Sequence, residues 1–222
     1  MELYKTVRKQ AEAVQVIDKS RFIAHVFPVE SREEADAFLA EIREKYKDAT
    51  HNVPAMVIGD KSQIQWASDD GEPQGTSGAP MVQMMVKEGL TNLIVVVTRY
   101  FGGIKLGTGG LVRAYTSSAK LGLEAAGICS VREMAELTVK IDYPYLAKIQ
   151  NMASEQLDLE KADREGEENL SNFRIANIQY TDKIEMKIQT FPGSLTNVEL
   201  LFQNITSGKA EVISQTIVRE KV

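Results

Sequence analysis

The amino-acid sequence predicts an α+β protein of two domains, because strand-like and helix-like segments occur along it in two successive series. Residues 1–131 contain mixed strands and helices and two glycine-rich loops. Residues 132–222 contain segments in the order strand, helix, strand, strand, helix, strand, which is the split-βαβ or ferredoxin-like pattern. A chain of 222 residues is also long enough for two domains of common size. We therefore expect a domain boundary near residue 131.

The elements of the first domain follow from local sequence signals. Strands are predicted at residues 13–17, 21–29, 53–58, 64–67 and 93–97, and helices from Ser31, from Pro80 and from about Leu111. Ser31 is followed by Glu34, which is the spacing of a capping box at a helix start. The segment Leu93–Val97 is continuously aliphatic, which is typical of a strand covered on both faces. For the last helix we expect Thr108 or Gly109 as the N-cap.

The second domain is predicted from the same kinds of signal. We expect a strand at residues 137–141, a helix from Pro144, a hairpin of residues 173–180 and 184–191 turning at Thr181–Asp182, a helix from Ser194 to Gly208 and a strand at residues 212–218. Residues 158–169 are more polar than this fold requires. They are predicted to form a solvated loop or a frayed helix end.

Two glycine-rich loops between residues 68 and 113 are the candidate functional region. Glycine is expected where the backbone adopts a positive φ or lies against another group. The candidate residues of the first loop are Asp69, Asp70, Gly71, Glu72, Gly75 and Thr76. The candidate residues of the second loop and its flanks are Arg99, Gly102, Gly103, Lys105, Gly107, Gly109, Gly110 and Arg113.

The second loop lies between the end of a buried strand and the start of a helix. Unpaired N–H groups at a helix start bind anions, and Arg99, Lys105 and Arg113 would add positive charge. We interpret this loop as a phosphate- or carboxylate-binding site. The alternative is that its glycines only allow strand, loop and helix to pack closely. The loop matches neither the P-loop order nor the dinucleotide-binding fingerprint.

The acidic residues of the first loop allow two interpretations. Asp69, Asp70 and Glu72, with His51 nearby, could bind a hard cation such as Mg²⁺. Alternatively, their carboxylates accept backbone hydrogen bonds within the loop or pair with arginine. We favour the second interpretation, so neither a metal ion nor a cofactor is predicted. The two histidines of the sequence do not complete a Ser–His–Asp arrangement, so no catalytic residue is assigned.

The motifs of these loops resemble those of a known family. Residues 68–78 read SDDGEPQGTSG, and residues 95–115 read VVVTRYFGGIKLGTGGLVRAY. Together with residues 19–24 and the pair His51–Asn52, they resemble the IMPACT family in its bacterial two-domain form. Val53 and Ala79 depart from the family, which often has Cys and Arg at these positions.

The resemblance implies a fold for each domain and a general biological role. The N-terminal domain is expected to be a two-layer α/β domain similar to one of a small-subunit ribosomal protein. The C-terminal domain is expected to be ferredoxin-like and similar to one of elongation factor G. Eukaryotic members of the family modulate translation initiation by competing for the activator of an amino-acid-starvation kinase. They do so through an additional domain, so that particular partner is not implied for this chain.

We therefore expect a noncatalytic regulatory binding protein linked to translation or the stress response. Its expected partner is structured RNA, the ribosome or a ribosome-associated protein. The alternative, which we favour less, is an enzyme acting on a phosphorylated small molecule held at the glycine loops. A third possibility is a protein-interaction module that uses the C-terminal sheet. No oligomeric state is predicted.

Composition restricts where such a protein acts. The net charge of −5 argues against nonspecific polyanion binding by the whole chain, although residues 89–123 contain four basic residues and no acidic one. Cys129 is the single cysteine and cannot form an internal disulfide. Neither a signal-peptide core nor an apolar run long enough to span a bilayer is present. We expect a cytoplasmic protein without membrane contact.

Overall fold

A computed structural model describes residues 2–155 and 172–222. The chain divides into two compact units, Glu2–Val131 and Arg132–Val222. Each unit combines strands with helices, so the α+β class is confirmed. The polar segment at residues 158–169 lies outside the described residues. In the described part of the chain, no helix is both long and apolar enough to cross a membrane.

The first unit is built on an antiparallel sheet. Its strands are β1 (Glu2–Val7), β2 (Ala11–Ile17), β3 (Ser20–Pro28), β4 (His51–Ile58), β5 (Ile64–Ala67) and β6 (Leu93–Tyr100), and its helices are α1 (Arg32–Lys45), α2 (Gly78–Lys87) and α3 (Gly107–Ala126). The sheet has the strand order β2-β3-β6-β4-β5, with every neighbouring pair antiparallel. All five of these strands were predicted, with ends that differ by a few residues.

Strand β1 was not predicted, and its pattern of exposure explains why. The Lys5 N–H donates to the Gly89 carbonyl (3.2 Å), and the Lys5 carbonyl accepts from the Thr91 N–H (2.9 Å). The Arg8 N–H donates to the Gly127 carbonyl (2.8 Å). The exposure of successive residues does not alternate along β1, so the period-two signal that predicts a half-buried strand is absent.

Helices cover this sheet on both faces. In β6, Leu93, Val95 and Val97 pack in one apolar cluster with Leu111 and Tyr115 of α3. The alternate residues of β6 pack in a second cluster with α1. Two-sided burial of β6 is therefore confirmed. The two-layer arrangement expected for this domain is corrected to three layers, because the apolar stripe of α1 covers the face opposite α2 and α3. This stripe consists of Ala35, Phe38, Leu39 and Ile42.

The helix starts differ in their capping. At α1 the Ser31 hydroxyl accepts from the Glu34 N–H (3.2 Å), as predicted. Helix α3 begins at Gly107, four residues before the predicted start at Leu111. Its N-cap is Leu106, and no side chain caps it, so neither Thr108 nor Gly109 has the predicted role.

The second unit has the predicted element order. Its first element is the part of strand β7 (Ile128–Ile141) from Arg132 onwards. The following elements are α4 (Leu146–Glu155), β8 (Arg174–Tyr180), β9 (Ile184–Thr190), α5 (Leu195–Ile205) and β10 (Glu211–Lys221). The sheet order is β10-β7-β9-β8. The hairpin of β8 and β9 turns at Thr181 and Asp182 as expected. Ser194 ends a 3₁₀ turn and is the N-cap residue of α5, which agrees with the predicted helix start, although its side chain makes no capping hydrogen bond.

Candidate functional site

The two glycine loops meet at a cavity of about 390 Å³ in the first unit. The cavity is lined by Glu72 and Pro73 from the first loop and by Arg99, Phe101, Lys105, Leu106, Gly107, Thr108 and Leu111 from the second loop and its flanks. Four of the predicted site residues are among them: Glu72, Arg99, Lys105 and Gly107. The described residues around this cavity therefore include one carboxylate, two cationic side chains and the start of α3.

Arg99 forms one wall of the cavity from the end of β6. Its side chain is buried, with 5% of the residue surface exposed. Its Nη1 donates to Glu72 Oε1 (2.6 Å) and its Nη2 donates to Ser20 Oγ (3.3 Å). The guanidinium lies 5.4 Å from the ring centres of both Phe22 and Phe101, which is cation–π range. Its buried Nε has no hydrogen-bond partner among the described residues.

Glu72 is the buried counter-ion of Arg99. Its Oε1 also accepts from the Tyr115 hydroxyl (2.7 Å) and lies 3.7 Å from His51 Nε2. Burial, and then the hydrogen bond to Glu72, raise the pKa of Tyr115 far above its usual value, so this hydroxyl remains a donor. All of these contacts use Oε1. Oε2 makes no hydrogen bond to any described residue.

Asp69 organises the first loop through hydrogen bonds. Its Oδ1 accepts from the Ser77 hydroxyl (2.6 Å) and from the N–H groups of Ser77 (3.1 Å) and Gly78 (3.0 Å), while its Oδ2 accepts from the Gly75 N–H (2.7 Å). Burial alone would raise the pKa of Asp69, but these hydrogen bonds outweigh it and lower the pKa. The structure thus agrees with the interpretation that the carboxylate accepts backbone hydrogen bonds.

Asp70 joins the first loop to the neighbouring strand and helix. Its Oδ2 accepts from the Asn52 N–H (2.7 Å), and its Oδ1 accepts from Arg43 (3.0 Å). Its carbonyl lies 2.8 Å from His51 Nδ1. The three acidic side chains of this loop therefore have separate partners. No group of three potential metal ligands occurs in residues 2–155 and 172–222.

The other residues predicted for the first loop shape its backbone. Gly71 (φ +90°) and Gly75 (φ +76°) both adopt the left-handed conformation that glycine favours. Thr76 is buried, and its hydroxyl donates to the Pro73 carbonyl (2.7 Å). None of these three residues lines the cavity.

Gly102 of the second loop has a structural role. A Cβ atom at this position would lie 2.0 Å from the Lys19 carbonyl carbon. Its N–H donates to Ser20 Oγ (3.2 Å), the same oxygen that contacts Arg99. At this residue the close-packing interpretation holds. Gly103 differs, because a Cβ atom added there would have no atom within 4 Å beyond its own chain neighbours.

The first turn of α3 forms the positively polarised side of the cavity. Gly107 and Thr108 line the cavity, whereas Gly109 and Gly110 follow in the same turn without lining it. N–H groups at a helix start have no partner within the helix, and here no side chain caps them. Such a helix start attracts negative charge.

The two exposed cations of the predicted site are separated. Lys105 lines the cavity and makes no ion pair with a described residue. Arg113 is exposed on α3 outside the cavity lining.

Sequence reasoning did not select Phe101, Thr108 or Tyr115. Phe101 lies inside the quoted motif, and Tyr115 belongs to the apolar stripe of α3, so neither carried a separate polar signal.

Comparison with known proteins places this site within a shared sequence region. A family model described as the Impact N-terminal domain matches residues 18–123. The IMPACT family member YvyE of Bacillus subtilis (strain 168) is 37% identical over 209 residues, which cover 94% of this chain and 89% of that protein. The IMPACT family member YigZ of Escherichia coli (strain K12) is 38% identical over 152 residues, which cover 68% and 74%. A crystal structure described as that of a hypothetical protein is 29% identical, with a TM-score of 0.56, and the match covers 96% of this chain and 98% of that one.

Proposed function

Because the chain belongs to the IMPACT family, we propose that it is a noncatalytic binding protein that regulates translation or a stress response in the cytoplasm. Its proposed partner is RNA, either free or on the ribosome. The alternative partner at the same surface is a ribosome-associated protein. The link to translation comes from the role of eukaryotic family members, and the choice of RNA comes from the chemistry of the site.

One observation carries the choice of RNA. The described cavity places Lys105 and the uncapped start of α3 beside Phe101, which is 47% exposed. Cationic groups contact phosphates, and exposed aromatic rings stack on unpaired bases. Arg113 extends the positive surface along α3. On a chain of net charge −5, this arrangement favours a local contact over general polyanion binding.

The ion pair of Glu72 supports binding over catalysis. Glu72 is the one carboxylate among the described lining residues, and Arg99 and Tyr115 hold its Oε1. A general base must be free to take a proton from its substrate, and Oε1 of Glu72 already accepts hydrogen bonds from Arg99 and Tyr115. No histidine or cysteine is among the described residues of the lining.

The test is a comparison of two charge reversals of equal size. Lys105→Glu/Arg113→Glu alters the proposed surface. Lys61→Glu/Lys87→Glu alters two exposed lysines that do not line the cavity, one in the turn between β4 and β5 and one at the last residue of α2. Binding of a structured RNA and co-sedimentation with ribosomes are measured across a salt series. Each lost phosphate contact should reduce the slope of log K against log salt by about one unit.

We expect Lys105→Glu/Arg113→Glu to bind RNA and ribosomes more weakly and with a smaller dependence on salt. The control Lys61→Glu/Lys87→Glu should bind like the wild type. Equal association by the wild type and by both variants would contradict the proposal. So would the lack of any RNA or ribosome association by the wild type at low salt.

A second candidate is an enzyme acting on a phosphorylated small molecule, which the concavity of the site favours. A cavity of about 390 Å³ is within the range of small-ligand sites. Phosphate release from a panel of sugar phosphates and nucleotides would detect such an activity. If this function is correct, the wild type should release phosphate from at least one of these compounds, and Lys105→Glu should abolish the release.

A further inference from the structure

The last strand of the second unit, β10, lies at one end of its sheet. In the sheet order β10-β7-β9-β8, its one strand neighbour among the described residues is β7. Residues 211–217 are all exposed, so both faces of the strand are open along this stretch. The outer edge of such a strand presents N–H and C=O groups that can pair with another chain.

Three large apolar side chains of β10 are exposed to solvent. Ile213 is 51% exposed, Ile217 is 52% exposed, and Val212 is exposed as well. None of the three belongs to an apolar cluster of the described residues, whereas Val218 packs against one. A partner that covered these side chains would remove apolar surface from water, which favours association.

The sequence of β10 lacks the features that prevent edge strands from pairing. Residues 212–218 read VISQTIV, without a charge, a proline or a glycine, and five of the seven are β-branched. At the other end of the described sheet, β8 contains Arg174 and a shift of register between Ile175 and Asn177. Charges and bulges of this kind keep an edge from pairing with another chain. Strand β10 is therefore the edge that is open to a partner.

Two copies of β10 match each other when they run antiparallel with Gln215 opposite Gln215. Residues that lie directly opposite in an antiparallel pair point to the same face and contact each other. The opposed pairs are then Glu211 with Arg219, Val212 with Val218, Ile213 with Ile217, and Ser214 with Thr216. Each pair joins opposite charges, two apolar side chains or two hydroxyl groups. The strand is thus complementary to a second copy of itself.

This match is specific to one register. A two-fold axis perpendicular to the sheet allows shifts of two residues at a time, because a shift of one would exchange the two faces. A shift of two residues in either direction places Ile213 opposite Gln215 or Arg219. Glu211 accepts a hydrogen bond from Lys183 of its own chain (2.8 Å), but its side chain is 62% exposed and can contact a second cation.

We propose that two copies of this chain associate through β10, with Gln215 at the two-fold axis. The antiparallel pair joins the sheets of the two second units into one sheet and covers apolar side chains of both strands. Assembly ends at the dimer, because the same edge of each copy is used and the outer ends of the joined sheet are formed by β8. This inference concerns the second unit and does not depend on the function proposed for the first.

The experiment is sedimentation equilibrium of the full chain at low salt, over a series of concentrations that starts at about 1 µM. Gln215→Lys and Gln215→Glu each place two like charges opposite each other at the axis. An equimolar mixture of these variants allows Lys to lie opposite Glu. The matched control is Gln179→Lys, the same change at an exposed residue of β8. Far-ultraviolet circular dichroism verifies that every variant is folded.

We expect the wild type and Gln179→Lys to reach twice the mass of one chain with the same dissociation constant. Each charged variant at Gln215 should raise this constant at least about fivefold, since like charges directly opposite each other destabilise a strand pair. In the mixture, the heterodimer should be at least about fivefold tighter than either variant alone, and added salt should reduce this difference.

Four results would overturn the proposal. The first is a wild type that has the mass of one chain at every concentration. The second is a dimer that neither charge at Gln215 weakens, because the interface would then lie away from β10. The third is equal weakening by Gln179→Lys, which would show no preference for this edge. The last is weakening by both charges without recovery in the mixture, because the two copies of Gln215 would then not lie opposite each other.

Discussion

The buried ion pair between Glu72 and Arg99 gives a stability prediction that can be worked out from the structure. Glu72→Leu removes the carboxylate from a guanidinium that is 5% exposed and already has an unpaired Nε. Breaking a buried pair by removing one partner costs about 3–5 kcal/mol. The Tyr115 hydroxyl loses its acceptor as well, which adds about 1–3 kcal/mol. The expected loss of about 4 kcal/mol or more is a large part of the stability of a domain.

The assay is urea unfolding followed by the fluorescence of Trp66. Trp66 is the single tryptophan of the chain and lies in β5, so it reports on the unit that contains the site. The double variant Arg99→Met/Glu72→Leu provides the control, because it removes both charges. It should be more stable than Glu72→Leu alone by about 2 kcal/mol, since no buried charge is left unpaired.

Two results would refute this reasoning. One is a free energy of unfolding for Glu72→Leu within about 1 kcal/mol of the wild type, which would mean that solvent reaches Arg99 and replaces the carboxylate. The other is a double variant less stable than Glu72→Leu. In that case Arg99 would stabilise the unit mainly through its contacts with Phe22 and Phe101, independently of its charge partner.

Two further predictions concern the second loop and a buried histidine. Gly102→Ala should lower the midpoint of thermal unfolding far more than Gly103→Ala, because the Cβ added at Gly102 would lie 2.0 Å from the Lys19 backbone. At Gly103 the added Cβ has open space, and the only cost is the strain of a φ of +86°. Equal midpoints of the two variants, measured by circular dichroism, would contradict this prediction. Burial lowers the pKa of His25 to about 4 against the opposing influence of Glu12, so folding favours the neutral imidazole. The associated stability is present above pH 6.5 and is lost as the pH falls towards 4, by about 2–3 kcal/mol at pH 4.5. In urea unfolding, His25→Gln should lose correspondingly less stability over this pH range. Parallel pH profiles of the two proteins would count against this prediction.

Local patterns were sufficient to predict most elements of this fold. The helical spacing of the apolar residues in α1 and the continuous aliphatic run of β6 each indicate one element from local sequence alone, and both elements were confirmed. The third layer was missed because a stripe does not state which face of a sheet it will cover. The early start of α3 was missed because Gly107, Gly109 and Gly110 have low helix propensity, which the packing of Leu111 and Tyr115 overrides.

The candidate site was less predictable, and the first loop provides the reason. Three carboxylates within four residues have three different sets of partners: Asp69 binds its own loop, Asp70 binds Asn52 and Arg43, and Glu72 binds Arg99. Between them the backbone passes through two consecutive left-handed residues, Asp70 (φ +48°) and Gly71 (φ +90°). This reversal directs neighbouring side chains to different parts of the unit. A sequence reports that acidic residues are close along the chain, but their convergence depends on these two dihedral angles, which residue type alone does not fix. The same reversal brings Glu72 to the second loop, so the cavity depends on the conformation of the first loop as much as on that of the second.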